Sequence, residues 1–206
     1  QMLINKGRHK NTQVFTRESI ERTEVPHTSL AAGSGLTFGY GLGNYQWLHK
    51  GILFHGHGGD ADGYLSRYGY TRNNNNGYFV VINAFNHRAL SKIRNLLEDY
   101  LVKDLERPTT PATKLLSKQQ INQLTGTYQN VTTRFGNKTG NHKLSILADG
   151  DSLYTRTGNS EKAMLIPVTD EHFRREGETV ATIAIVQAAD GNIYYQSDHD
   201  NFRKVR

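Results

Sequence analysis

The sequence of 206 residues predicts an α+β unit, made of an antiparallel sheet with a long C-terminal helix, followed by an all-β antiparallel barrel. Residues 87–105 place leucine, isoleucine and tyrosine at spacings of three and four, which gives a helix with one apolar stripe that can cover a sheet. The segment Arg107-Pro108-Thr109-Thr110-Pro111 predicts a linker, because its two prolines end a helix. Short strands and turns fill the rest of the chain. The predicted parts are a first domain over 1–107, a linker over 108–113 and a barrel domain over 114–206.

The first unit is predicted to hold a short helix and four strands before the long helix. Thr16 can cap a helix over 16–24, and Glu18 favours the positive end of its dipole. The run from Asn73 to Gly77 predicts a tight turn, because asparagine and glycine tolerate positive φ. The predicted strands span 36–48, 51–57, 63–71 and 77–84.

The second unit is predicted to be a short helix followed by about eight strands. Ser117 and Gln120 have the spacing of a capping box and predict a helix over 117–124. Asp-Gly and Glu-Gly pairs at 149–150, 176–177 and 190–191 predict turns. The predicted strands lie near 126–133, 142–148, 152–157, 163–168, 171–175, 179–187, 192–197 and 201–205.

Composition and charge exclude several classes of protein and site. The chain has no cysteine, which removes disulfides, cysteine-based zinc sites and thiol nucleophiles. The net charge is +6, but the basic residues are scattered, so we predict no nucleic-acid partner. No apolar stretch approaches the ~20 residues that span a bilayer, so no membrane span is predicted. The opening Gln1-Met2-Leu3-Ile4-Asn5 contains no signal peptide and indicates that an upstream segment is missing.

The densest polar cluster of the sequence is Phe54-His55-Gly56-His57-Gly58-Gly59-Asp60-Ala61-Asp62-Gly63-Tyr64. It follows an aromatic and glycine-rich segment, Phe38–Gly43, and the opening Met2–Arg8. These three motifs, in this order, resemble the C-terminal part of the serine β-lactamase and penicillin-binding-protein family, in its class C-like or esterase-like branch. Residues 114–206 resemble the lipocalin-like accessory barrel that follows such hydrolases.

This resemblance implies a role for each residue of the His57 segment. His57 would hydrogen-bond near the nucleophile and hold the polar end of the substrate. Gly58 and Gly59 would let the substrate approach the backbone, and the backbone N–H of Asp60 would be an oxyanion donor. The implied function is acyl-enzyme hydrolysis of an amide, lactam or ester, acting on a small-molecule or peptidoglycan-like substrate. It further implies a bacterial periplasmic or secreted protein and no cofactor.

The two motifs that carry the chemistry of that family are absent. No serine has a lysine three residues later, and the single Tyr-x-Asn, Tyr128-Gln129-Asn130, lies beyond the linker. The chain alone is therefore predicted to be inactive without the missing N-terminal catalytic segment, and uncovered sheet surface is expected to favour self-association.

The sequence allows two other interpretations, a metal site and a noncatalytic binding module. His55 and His57, with Asp60 and Asp62, could bind a metal, since alternate strand residues share a face. No third histidine has a familiar ligand spacing, so we predict no metal. The alternative function is a noncatalytic cell-envelope binding module built from two β-rich units.

Overall fold

The computed structural model describes residues 1–134, 137–138, 142–197 and 200–205. The chain forms two compact units, one of residues 1–26 and 40–109 and the other of residues 27–39 and 110–206. The described helices are α1 (Arg17–Glu24), α2 (Leu30–Gly33), α3 (His87–Val102) and α4 (Lys118–Leu124). None of them is long and apolar enough to cross a membrane.

The predicted α+β class is wrong, because strands dominate the chain. The described residues form sixteen strands beside four helices, and α3, with 16 residues, is the one helix longer than eight residues. It lies within the predicted 87–105 stretch, in the first unit, and the last described element of the chain is a strand. One amphipathic helix does not set the fold class, because the aromatic and β-branched segments around it form strands.

The first unit contains a four-stranded antiparallel sheet. Its strands are β3 (Tyr45–His49), β4 (Ile52–Ala61), β5 (Tyr64–Thr71) and β6 (Asn76–Ile82), in that order, preceded by a hairpin of β1 (Arg8–His9) and β2 (Thr12–Gln13). β3 pairs with β4 as far as Gly56, whereas β5 pairs with β4 as far as Ala61. The end of β4, from His57 onward, therefore has a described strand on one side only.

One face of this sheet packs against α3. Ile52 and Phe54 of β4 are buried with Val102 of the helix. The helix also buries Glu98, whose carboxylate accepts hydrogen bonds from Trp47 Nε1 at 3.0 Å and from the Tyr78 hydroxyl at 2.6 Å. The buried charge is thus held by polar groups of the sheet, as a buried carboxylate requires.

The predicted barrel is confirmed as a closed, eight-stranded antiparallel barrel. Its interior is a cluster of apolar side chains that includes the fully buried Tyr128, Ile146 and Phe173. α4 adds Ile121 and Leu124 to this cluster, and its predicted capping box is present. The strands are β7 (Gly126–Asn130), β10 (Lys143–Asp149), β11 (Ser152–Thr157), β12 (Ala163–Pro167), β13 (His172–Arg174), β14 (Ile183–Gln187), β15 (Ile193–Gln196) and β16 (Asn201–Lys204), with β8 (Thr133–Arg134) and β9 (Asn137–Lys138) as a separate hairpin.

Residues 27–39 belong to the second unit. Ala31 and Leu36 pack against Ala184 and Val186 of β14. The backbone N–H of Ala31 also donates to Gln196 Oε1 at 2.6 Å. The domain limits predicted from the sequence, 1–107 and 114–206, place this segment in the first domain. They remain a prediction about which segments fold independently.

Candidate functional site

His57 lies on β4 immediately beyond the last residue that pairs with β3. Its Nε2 is 2.8 Å from the Tyr40 hydroxyl, and its Nδ1 is hydrogen-bonded to the carbonyl of Gly58. A carbonyl can only accept, so Nδ1 carries the proton, and in the neutral ring Nε2 accepts from Tyr40. The ring is partly exposed and is fixed in one tautomer by these two contacts.

Aromatic rings surround His57. Its ring centroid lies 5.7 Å from that of Tyr40 and 5.4 Å from that of Tyr45, both edge-on. Tyr45 in turn lies 5.5 Å from Trp47. Tyr40 is 46% exposed, so this aromatic cluster reaches from the sheet to solvent.

Arg67 is the cation of the site. Its guanidinium carbon lies 5.3 Å from the ring centroid of Tyr45 and 5.7 Å from that of Trp47. Its Nε is buried without a hydrogen-bond partner, and no carboxylate of the described residues lies within ion-pair distance of it. Burial lowers the pKa of Arg67, and the nearby Arg94 guanidinium lowers it further, although an arginine stays charged.

The glycines predicted to admit a ligand lie beside this cation. Gly58 pairs with Arg67 across β4 and β5, and a Cβ built on Gly58 would lie 3.5 Å from the guanidinium carbon. A Cβ on the exposed Gly59 would meet the hydroxyl of Ser66 at 2.8 Å. The absence of a side chain at 58 therefore keeps the space next to Arg67 open, whereas Gly59 borders Ser66 on the opposite face of the strand.

Asp60 is exposed and pairs with Leu65 of β5. Its carboxylate lies 3.9 Å from Nε2 of His87, and both side chains are more than half exposed. The backbone of Asp60 belongs to the part of β4 that lacks a strand on the β3 side.

His55 is not part of this group. It is buried and stacks on Tyr70 with ring centroids 5.6 Å apart, and its Nδ1 has no hydrogen-bond partner. Across the described ranges, no three histidine, aspartate or glutamate side chains are placed to hold a metal ion.

Arg67 is the site residue that the sequence reasoning missed. The pair Asp62-Gly63 is a two-residue turn between β4 and β5, since Ala61 pairs with Tyr64. Such Asp-Gly turns fix the register of a hairpin, and counting back from this one places Gly58 opposite Arg67. The Asp62-Gly63 pair in the sequence is therefore the signal that locates Arg67.

Comparison with known proteins assigns no family. No family model matches the chain, and no curated protein matches it. Several solved structures are similar to the chain, and three of them, each at a TM-score below 0.5, carry no argument about this protein. The first, "Crystal structure of SurE with D-Leu", has 16% identity over 82% of this chain and 40% of that chain, with a TM-score of 0.43.

Two further structures have similarly low sequence identity and TM-scores. A second structure of SurE has 14% identity over 93% of this chain and 43% of that chain, with a TM-score of 0.46. The octameric penicillin-binding protein homologue from Pyrococcus abyssi has 17% identity over 98% of this chain and 44% of that chain, with a TM-score of 0.39. The chain thus spans less than half the length of each of these three structures.

The predicted membership of the serine β-lactamase family is therefore corrected. No family model and no curated protein matches the chain, so neither the family nor acyl-enzyme hydrolysis is supported. The predicted β-lactamase, penicillin-binding-protein and esterase assignments are likewise unsupported. They rested on short glycine-rich motifs, and such motifs recur wherever backbone segments must approach closely.

Proposed function

We propose that this chain is a binding module that recognises an organic anion beside strand β4. The site consists of Arg67, His57, Gly58 and Gly59, with the backbone N–H of Asp60 as a further donor. The observation that carries the proposal is the half-buried guanidinium of Arg67, which faces two aromatic rings and has an unpartnered Nε.

The charges around Arg67 support an anionic ligand. Glu98 is the buried carboxylate of this region, and it already accepts from Trp47 and Tyr78 and lies 3.8 Å from Nε of Arg94. Nδ1 of His49 lies 3.2 Å from the same carboxylate, so Glu98 is already engaged by two basic side chains, and Arg67 has no carboxylate within ion-pair distance among the described residues. Half-buried cations are stabilised by a paired anion, and a guanidinium can bind a carboxylate through two parallel hydrogen bonds.

The other residues fit the organic part of such a ligand. Gly58 leaves room beside Arg67, so that a carboxylate can reach the guanidinium. Tyr40 and Tyr45 offer aromatic surface to an apolar body. The hydroxyl of Tyr40, which is hydrogen-bonded to Nε2 of His57, is a further polar group of the proposed site. A carboxylate with a small aromatic or aliphatic body is the ligand class that matches all three features.

The test is a titration of the full chain with sodium benzoate, followed by amide and arginine side-chain NMR, with sodium chloride at the same ionic strength as the control. We expect saturable shifts of the Gly58, Gly59 and Asp60 amides and of the Arg67 Nε–H. Shifts that are no larger than those with chloride, or that avoid these four groups, would contradict the proposal.

A further inference from the structure

The barrel of the second unit contains a cavity of about 260 Å³ at one end of its interior. Apolar core residues such as Leu144 and Phe202 form its inner wall, and charged residues such as Arg175 and Glu161 line it as well. The cavity lies apart from the β4 site, since every residue that lines it belongs to the second unit.

The inward-facing positions of the barrel change from apolar to polar at this end. Side chains two residues apart on a strand point to the same side. The buried Leu165 of β12 is preceded by Ala163, the first residue of that strand, and by Glu161, two residues before the strand begins. The buried Phe173 of β13 is followed by Arg175, one residue after that strand ends. The same change runs from Leu153 to Thr155 and Thr157, from Tyr195 to Ser197, and from Phe202 to Asp200.

Both signs of charge meet in this cavity. One nitrogen of the Arg175 guanidinium, Nη1, lies 3.4 Å from the carboxylate of Glu178. A guanidinium has five N–H donors, so others remain for a second acceptor. The phenol of Tyr195, almost completely buried, lines the cavity together with Arg175 and Ser197 and adds a hydroxyl to this donor surface. On the acidic side, Glu161 makes no side-chain ion pair with any described residue, and Asp200 Oδ1 accepts from Asn130 at 3.3 Å.

We infer that this cavity binds a small zwitterion, a molecule with one carboxylate and one ammonium group such as a free amino acid. Arg175, Tyr195 and Ser197 would donate to the carboxylate, while Glu161 and Asp200 would accept from the ammonium group. The volume is below the range of roughly 300–1,000 Å³ of drug-sized pockets, which restricts the ligand to a small molecule. The hydroxyls of Thr155 and Thr157 provide further polar contacts.

Calorimetric titration of the full chain tests this inference, with glycine, L-alanine and L-glutamine as ligands and with acetate and methylammonium as half-ligands. At least one amino acid should bind at least about tenfold more tightly than either half-ligand, because each half engages only one side of the cavity. R175Q and E161Q should each weaken that binding by about tenfold. The matched controls, R156Q and E171Q, remove the same charges from exposed positions outside the cavity and should leave binding unchanged.

Two results would overturn the inference. One is the absence of binding by all three amino acids at millimolar concentration, and the other is equal binding by acetate or methylammonium. Thermal unfolding of each variant shows whether it is folded. If R175Q fails to fold because its contact with Glu178 is lost, E161Q decides, since Glu161 is exposed and makes no ion pair with the described residues.

Discussion

The two histidines of the His57 segment lie in very different surroundings, although they are two residues apart. His57 is partly exposed and hydrogen-bonded through both nitrogens. His55 is buried against Tyr70, and burial lowers its pKa, an effect that the Glu24 carboxylate opposes and the Arg72 guanidinium reinforces. Alternation along a strand places both residues on one side, but it does not indicate which end of the strand the rest of the fold covers.

His55 should make the protein less stable in acid. Its pKa in the folded chain is below the ordinary 6.5, so the unfolded chain binds the proton first as the pH falls. The contribution of neutral His55 is complete above about pH 6.5 and is lost as the pH falls toward the folded pKa. H55Q should therefore flatten the decline in unfolding free energy between about pH 7 and 5, measured by urea denaturation.

The control for this measurement is H27Q, because His27 is exposed. An acid decline of the same steepness in wild type, H55Q and H27Q would show that burial of His55 does not contribute.

At the scale of elements, two glycines of strand β4 have different roles: Gly56 allows close packing of the strands, and Gly58 leaves access to Arg67. A Cβ on Gly56 would overlap the carbonyl oxygen of Tyr68 on β5 and would crowd Trp47. A Cβ on Gly58 would make ordinary contact with Arg67 at 3.5 Å. The same substitution should thus have different consequences two residues apart.

We expect G56A to lower the free energy of unfolding by about 2 kcal/mol, because the methyl group forces β4 and β5 apart. G58A should leave stability within about 0.5 kcal/mol and instead weaken anion binding, because its methyl group covers the guanidinium. Chemical denaturation of both variants checks the first effect and benzoate titration the second. Equal destabilisation by G56A and G58A would refute this distinction.

The elements differ in how far the sequence predicts them. The capping box at Ser117 and the strands around 51–84 follow from local patterns, and the structure contains them. The predicted strand 36–48 begins only at Tyr45, because Gly39 and Gly43 adopt positive φ values of 147° and 103°. The part before Gly39 packs with the second unit through Leu36. Such a long-range partnership leaves no periodic signal in the sequence.

At the scale of the whole molecule, the chain should be cut first between the two units. Residues 105–117 contain no regular structure, and most of their side chains are exposed until Lys114 pairs with Asp170 at the start of the second unit. Limited digestion with elastase, followed by mass spectrometry, should therefore show first cleavage within 109–113. First cleavage within 77–105 would contradict this prediction.

The two fragments should then elute together in size exclusion. Residues 27–39 remain on the N-terminal fragment, but Ala31 and Leu36 pack in the second unit with Ala184 and Val186. Separate elution of the fragments without denaturant would show that this packing is weaker than the burial of these side chains indicates.

The central claim, that Arg67 binds an organic anion, is tested most directly by calorimetric titration of benzoate into wild type, R67Q and R88Q. Arg88 is an exposed arginine on α3, so R88Q removes the same charge without touching the site. Wild type and R88Q should bind benzoate with the same affinity, and R67Q should bind it at least about tenfold more weakly, because it loses a charge-assisted contact. Equal affinity of R67Q and wild type, or no binding of benzoate by wild type, would contradict the claim.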